Sequence, residues 1–336
     1  MTTTVPPVLS VVIGVRNGRQ HITGCLDQIY DQGLRPEEFE VIVADGRSSD
    51  GTVAEIGAYV RERGITNLRV IDNERLTLAA AFNEAIPHLR GQFMAKVDAQ
   101  SRIGPGYFRV LMDALARHPG AAVAGGRFEP SGDSTDSRSW ARVFNDPWLV
   151  GPARYRYAQE EQFIDTVYLG VYRTAVIRQV GAFDERLLRS EDTDYNHRIR
   201  ALGHTIVLVP QAAATYFVRR SYHDAFKQFH GYAYYRYAFI RKHGMPLTIR
   251  QKAPLAGFAA LLALAVTAPW SWPALLGAVL GYCAVFLWRA SLKRGGEGAP
   301  LLKVFLVYLV VHAAYLAGNV HYVVASLLRG RRVTSV

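Results

Sequence analysis

The chain has 336 residues, 50% of them hydrophobic, enough for a sizeable core and something beyond it. A formal net charge of +11 admits nucleic acid, a membrane surface or an anionic substrate as partner; no nucleic-acid-reading motif accompanies it, which leaves membrane and phosphate. Its two cysteines, Cys25 and Cys283, offer neither a disulfide framework nor a metal pair, and Met1 to Ser10 lacks the basic-then-apolar pattern of a signal peptide, so the soluble part is expected in a reducing cytoplasm.

Leu9 to Val15 is a β-branched run set between prolines and Arg16-Asn17-Gly18, and it predicts a buried strand ending in a turn. A helix from about His21 to Gln32 follows, then a strand at Glu40 to Ala44, a polar loop from Asp45 to Thr52 and a helix through Arg63. Leu68 to Asp72 predicts a third strand, Thr77 to Ile86 a helix, and Phe93 to Val97 a fourth strand that stops at Asp98-Ala99-Gln100; Pro105 opens the next helix. Strands alternating with helices mean a parallel sheet, and such sheets bind ligands outside the carboxyl ends of their strands. Asp45 and Asp98 both fall at such ends.

No Gly-x-Gly-x-x-Gly follows the first strand and no Gly-Lys-Ser/Thr loop is present, so a nucleotide would have to be held by carboxylates and a metal. A strand-end aspartate also serves simply to satisfy loop amides. Gly125 to Phe163 is rich in glycine, proline and serine without a clean period, which predicts a long, partly mobile substrate loop. Gly170, inside the strand-like Tyr168 to Val171, predicts a close backbone approach. Ser190 is a good N-cap; Glu191 and Asp192 then sit in a first helical turn, and Tyr195, Ile199 and Leu202 follow at helical spacing before Gly203. The helix dipole favours ionised carboxylates there, which suits a base that takes a proton from a hydroxyl, although acids also decorate helix starts without further role. Thr205 to Val209 predicts a last strand.

From Tyr222 to Ile240, the positions Tyr222, Phe226, Phe229, Ala233, Tyr237 and Ile240 form one stripe, with Lys227, Gln228 and Arg236 off it. This amphipathic helix suits a membrane interface and packing on the sheet equally. Ala253 to Trp288 carries no charge and Leu301 to Leu328 only Lys303. The pattern predicts a hairpin, Ala253 to Pro269 and Ala274 to Trp288, around a Trp-Ser-Trp-Pro turn at Trp270 to Pro273, then a third apolar segment able to break near Gly318-Asn319. Arg241, Lys242, Arg250 and Lys252 before the hairpin and Arg289, Lys293 and Arg294 after it read as cytoplasmic flanks. A third full span puts Arg329, Arg331 and Arg332 outside, against the same rule, so the count is two or three.

In order and spacing, LSVVIGVRN, VIVADGRSSDGT, AAAFNEAI, AKVDAQ, VYLGVYRTAVIRQVGAFDERLLRSEDTDYNHRIRALGH and QFHGYAYYR resemble the family-2 glycosyltransferases, and the apolar tail resembles their succinoglycan-type exopolysaccharide members. The resemblance implies the GT-A fold: α/β, a mixed, mainly parallel sheet flanked by helices, followed by an interfacial helix and a C-terminal transmembrane helical region. It implies a catalytic domain at 1–221, an interface helix and linker at 222–252 and a membrane region at 253–336. The implied enzyme is an inverting hexosyltransferase in the bacterial cytoplasmic membrane. Its donor is a nucleotide-diphosphate sugar, a UDP-sugar foremost, and its acceptor a hydroxyl of a lipid-linked saccharide at the cytoplasmic face.

By the same resemblance, Asp45 matches the aspartate that bonds the nucleotide base, and Asp98 the first acid of an Asp-x-Asp motif near ribose, diphosphate and metal. Asn17 and Arg75 join them as donor-binding residues. Gln100 stands where the second acid, usually the chief ligand of Mg²⁺ or Mn²⁺, is expected; its amide oxygen can ligate either ion but brings no charge, so a weaker metal site is expected. Asp192 matches the base that deprotonates the acceptor and Glu191 its partner, while Gln228 and Arg236 resemble a segment that closes over the donor pyrophosphate. Two alternatives stand beside this reading: transfer to a polyprenyl phosphate, which needs no base, and a catalytically silent membrane scaffold.

Overall fold

The computed structural model describes residues 6–150, 153–293 and 299–328, apart from the side chains at 150, 250 and 268–270. The chain divides into two compact units, Met1–Glu129 with Pro152–Phe217, and Pro130–Gly151 with Val218–Val336.

In the first unit, β1 (Leu9–Val15), α1 (Arg19–Tyr30), β2 (Phe39–Asp45), α2 (Thr52–Arg63), β3 (Leu68–Asp72), α3 (Leu78–Ala85) and β4 (Phe93–Asp98) alternate as expected. They build a parallel block in the order β3-β2-β1-β4. Its inner strands are covered on both faces, which is why they read as unbroken apolar runs: Val11 and Ile13 pack with Ile22 and Leu26 of α1, while Val12 packs with Phe82 of α3.

Beyond β4 come β5 (Ser101–Ile103), α4 (Tyr107–Arg117) and β6 (Ala121–Ser131). After α5 (Thr135–Val143) and α6 (Pro147–Val150), which fall in the second unit, follow β7 (Gln162–Phe163), β8 (Tyr168–Arg173), α7 (Thr174–Val180), α8 (Glu191–Ala201) and β9 (Thr205–Phe217). The full order is β3-β2-β1-β4-β8-β6-β9-β5, with β7 on β9. β8 is antiparallel to both β4 and β6, and β5 and β7 are antiparallel to β9, so the sheet is mixed, as expected for the class.

Two local expectations need correction. Pro105 does not open α4; Gly106, at φ +68, turns the chain and the helix starts at Tyr107. Gly125 to Phe163 is largely regular structure rather than one mobile loop. Its glycines mark close strand contacts: a Cβ on Gly126 would lie 2.0 Å from the Ala212 carbonyl oxygen. The period of α5 was masked because two of its buried positions are serines, Ser137 and Ser139, beside Trp140 and Val143. A capping box closes its start, with Ser134 and Ser137 each accepting the other's backbone N–H at 3.1 and 2.8 Å. Gly170 is as expected: a Cβ there would meet Val123 at 2.9 Å.

The second unit adds α9 (Tyr222–Lys242), α10 (Ile249–Val266), α11 (Ala268–Leu292) and α12 (Leu301–Leu328). The face of α9 carrying Phe229, Ala233, Tyr237 and Ile240 is buried, and its cover is neither lipid headgroups nor a sheet. Tyr322 of α12 stacks on Tyr237 at 5.2 Å, Trp140 of α5 stacks on Phe229 at 5.9 Å, and Gly318 lets α12 approach so closely that a Cβ would lie 2.4 Å from the His230 carbonyl oxygen. Gly318 therefore serves packing, and α12 runs unbroken through it. Gln228, expected off the buried stripe, is 2% exposed and donates to Tyr232 Oη at 2.8 Å.

Thr267 alone separates α10 from α11, so Ser271 to Pro273 lies within a helix and not in a turn; Pro273 sits inside that helix, where it removes one backbone donor without ending it. Two helical stretches, Ser271–Leu292 and Leu301–Leu328, are long and apolar enough to cross a membrane, and Gln251–Val266 is shorter. Arg294, Arg329, Arg331 and Arg332, and the side chains of Arg250 and Trp270, lie outside the described residues.

One buried charge ties this unit together. Asp146 is fully buried and accepts two hydrogen bonds from Arg289 of α11 at 2.7 and 2.8 Å, one from the Tyr308 hydroxyl of α12 at 2.6 Å, and one from the Trp148 N–H at 3.0 Å. Burial alone would raise its carboxyl; Tyr308, the Trp148 N–H, Lys293 and Arg289 outweigh that and hold it below the usual carboxylate range.

Candidate active site

The carboxyl ends of β1 and β2 are laced together by polar loops. Asp45 is buried and accepts from the Ser48 hydroxyl at 2.6 Å and the Ser48 N–H at 2.9 Å. The Asn17 N–H donates to the same hydroxyl at 2.8 Å, and Asn17 Oδ1 accepts from the Ser49 N–H at 2.9 Å. Asn17, Arg47, Leu76, Leu169 and Ser190 have positive φ, a conformation that non-glycine residues keep only where surrounding structure enforces it. Arg75 is exposed and pairs with Glu185 at 2.7 Å; Glu185 also accepts from Asn83 at 2.8 Å, and Asn83 clamps both backbone polar groups of Phe183. Arg75 is thus tied to the loop that leads into α8.

Asp98 ends β4, with the Tyr168 hydroxyl beside it and Ser101 bonded to that hydroxyl. Burial, with Asp192 adding to it, raises the Asp98 carboxyl against the pull of Lys96 and Tyr168. Its Oδ1 is buried without a hydrogen-bond partner, an open acceptor of the kind a hard cation fills. Gln100 lies two residues on and is exposed. No cluster of three or more His, Cys, Asp or Glu side chains occurs among the described residues, so a metal here would take its remaining ligands from substrate and water. One carboxylate plus phosphate oxygens is a usual ligand set for Mg²⁺, and Asp98 with Gln100 fits it.

α8 opens at Glu191, so both acids occupy its first turn. Ser190 does not cap it through its side chain. Its φ of +66 departs from the extended backbone that aims a cap hydroxyl back at the helix amides. Tyr195 and Ile199 anchor the helix in the core, with Tyr195 stacked 3.7 Å from Phe183, whereas Leu202 lies past the helix end and is exposed. Glu191 is 9% exposed and points inward; the Asp192 side chain is 31% exposed.

Between the strand-end acid and the helix-start acids lies Lys96 of β4, which sequence reasoning passed over. It is 3% exposed, donates to Asp192 Oδ1, lies 3.9 Å from Glu191 and sits 4.7 Å from the Phe82 ring centroid. Burial would depress its pKa; Asp192 and then Glu191 more than reverse that, and the ammonium is held charged. Burial and the neighbouring Asp192 raise Glu191 in turn, against Lys96. The available signal was strand period: Lys96 shares a face with Met94 and Asp98, so it is a cation on the same strand face as the strand-end acid.

β4, β8 and α8 thus bring Asp98, Tyr168, Lys96, Glu191 and Asp192 together, with Asp45 and Asn17 at the neighbouring strand ends. Gln228 and Arg236 are on α9 of the second unit, where the Arg236 guanidinium lies 5.1 Å from the Phe239 ring centroid.

The family model described as Glycosyl transferase family 2 matches residues 10–181. Succinoglycan biosynthesis protein ExoA of Rhizobium meliloti is 29% identical over 321 residues, 92% of each chain. The dolichyl N-acetyl-alpha-D-glucosaminyl phosphate 3-beta-D-2,3-diacetamido-2,3-dideoxy-beta-D-glucuronosyltransferase of Methanococcus voltae is 25% identical over 239 residues, 70% of this chain and 74% of that one. Among solved structures, the mannosyltransferase PcManGT from Pyrobaculum calidifontis, in complex with GDP-Man and Mn²⁺, shares the fold with a TM-score of 0.68 at 18% identity, over 95% of this chain and 88% of that one.

Proposed function

The chain belongs to glycosyl transferase family 2, and from that premise we propose that it is an inverting hexosyltransferase of exopolysaccharide synthesis. Its donor is a nucleotide-diphosphate sugar, a UDP-sugar foremost, and its acceptor a hydroxyl of a lipid-linked glycan. The observation that carries this reading is the placement of Asp192: the half-buried outer member of an acidic pair whose inner member, Glu191, is buried, at a helix start, beside the strand end that carries Asp98. A phosphate acceptor is already an anion and needs no base, so a positioned carboxylate favours a hydroxyl. The Methanococcus relative, whose name describes an acceptor sugar carried on dolichyl phosphate, supports the lipid-linked class. The two apolar helices, with Arg241, Lys242 and Lys252 ahead of them and Arg289 and Lys293 at the end of α11, support a membrane enzyme whose catalytic unit is cytoplasmic.

In this mechanism Asp45 and Asn17 hold the nucleoside end of the donor, and Arg75 completes the donor site. Asp192 takes the proton as the acceptor oxygen attacks the anomeric carbon; the nucleoside diphosphate leaves from the opposite face and the configuration inverts. One base suffices and no covalent intermediate forms. Asp98 and Gln100 would hold Mg²⁺ or Mn²⁺, and the ion would supply charge neutralisation for the leaving diphosphate.

The test is Asp192→Asn. A general base contributes about 10² to 10⁴ in rate, so turnover falls by that factor while UDP or GDP affinity barely changes; Glu191→Gln loses less. Near wild-type turnover in the folded Asp192→Asn protein removes the base and reopens the phosphate-acceptor reading.

A further inference from the structure

The geometry points to Lys96 as the positioning residue of the reaction: its ammonium holds Oδ1 of Asp192, leaving Oδ2 to meet the acceptor hydroxyl. This rests on the assignment of Asp192 as base.

Stability does not account for a lysine at this place. Lys96 stands on a strand face shared with Met94, against the Phe82 ring, where an apolar side chain of equal volume would pack without desolvating a charge. Replacing a whole buried ion pair by well-packed apolar residues is commonly neutral or stabilising, so the fold does not require the pair. What the lysine adds is a fixed point. α8 begins at a left-handed Ser190 with no side-chain cap, and the Asp192 side chain is 31% exposed, so helix geometry alone leaves its carboxylate free to rotate. Lys96 has no such freedom, because β4 is hydrogen-bonded between β1 and β8 and the side chain is 3% exposed. A donor anchored in the middle of the sheet therefore sets the position of an acid on a helix 96 residues later. Glu191, 3.9 Å from the same nitrogen, flanks the ammonium on its buried side.

The experiment is a double-mutant cycle on the detergent-solubilised full chain with Lys96→Met, Asp192→Asn and the pair. Release of UDP or GDP is followed from UDP-glucose, UDP-N-acetylglucosamine and GDP-mannose, with a bacterial polyprenyl-pyrophosphate-linked glycan extract as acceptor. Misplacing a catalytic group by about 1 Å costs about 10²-fold, so Lys96→Met should lower kcat of the folded protein by that order with donor KM within about threefold, alongside a lower melting temperature because Glu191 and Asp192 lose their buried cation. On the Asp192→Asn background the same substitution should have no further effect, because the group it positions is gone. Unchanged kcat in Lys96→Met overturns the proposal, as does an equal loss on both backgrounds, which a purely structural role produces. If Lys96→Met does not fold, Lys96→Gln, a neutral donor, is read by the same cycle. Full activity in Asp192→Asn is a separate outcome that overturns the base itself.

Discussion

Replacing Asp146 by alanine should open the second unit. The substitution leaves the Arg289 side chain, 15% exposed, without either of its carboxylate bonds and strips the buried Tyr308 hydroxyl of its acceptor. Breaking a buried pair from one side costs about 3–5 kcal/mol, a factor of roughly 10² to 10³ or more in the opening equilibrium of 130–151 from α11 and α12. Asp146→Asn, which keeps the shape and an acceptor for Tyr308, should lose less, and adding Arg289→Met to Asp146→Ala should recover part of the loss by removing the stranded cation. The carboxyl is held low in the fold, so its contribution is fully present above its unfolded value of about 3.9 and is lost as pH falls through the folded value; that acid-side loss should be missing from Asp146→Asn. Limited proteolysis within 130–151 and thermal unfolding, both in detergent micelles, measure this. Identical cleavage rates and melting temperatures for wild type and Asp146→Ala would refute the reasoning.

The donor side is tested by Asp45→Ala, which should weaken UDP and GDP binding by about 10- to 100-fold, the worth of a hydrogen bond to a charged group; unchanged affinity by calorimetry removes Asp45 from the donor site. Gln100→Asp adds ligand charge beside Asp98 and should tighten Mn²⁺ binding in the presence of UDP by about tenfold, whereas an unchanged titration means that Gln100 does not ligate. A chain truncated after Lys252 should leave the membrane but self-associate, because removing α12 uncovers Tyr234 and Tyr237 of α9; a monodisperse monomer on gel filtration contradicts this packing.

Much of the first unit is legible in the chain because its signals are local. β1 and β2 are short runs buried on both faces, so hydrophobicity alone marks them, and Asp45 and Asp98 declare themselves by standing where such runs stop. Glu191 and Asp192 are legible for the same reason, as acids at the start of a helical period. The rest depended on which surfaces meet. Gly126 read as loop flexibility until the Ala212 carbonyl lay across it, and the serines on α5 hid a helix whose Trp140 stacks on α9. Whether α9 faced lipid, a sheet or another helix was undetermined by its stripe, since an amphipathic period records that a face is covered and not by what. Lys96 and Asp192 are 96 residues apart and Asp146 and Arg289 143 apart, and no local pattern announces such pairs; only tertiary packing excludes water around each charge and makes its partner obligatory.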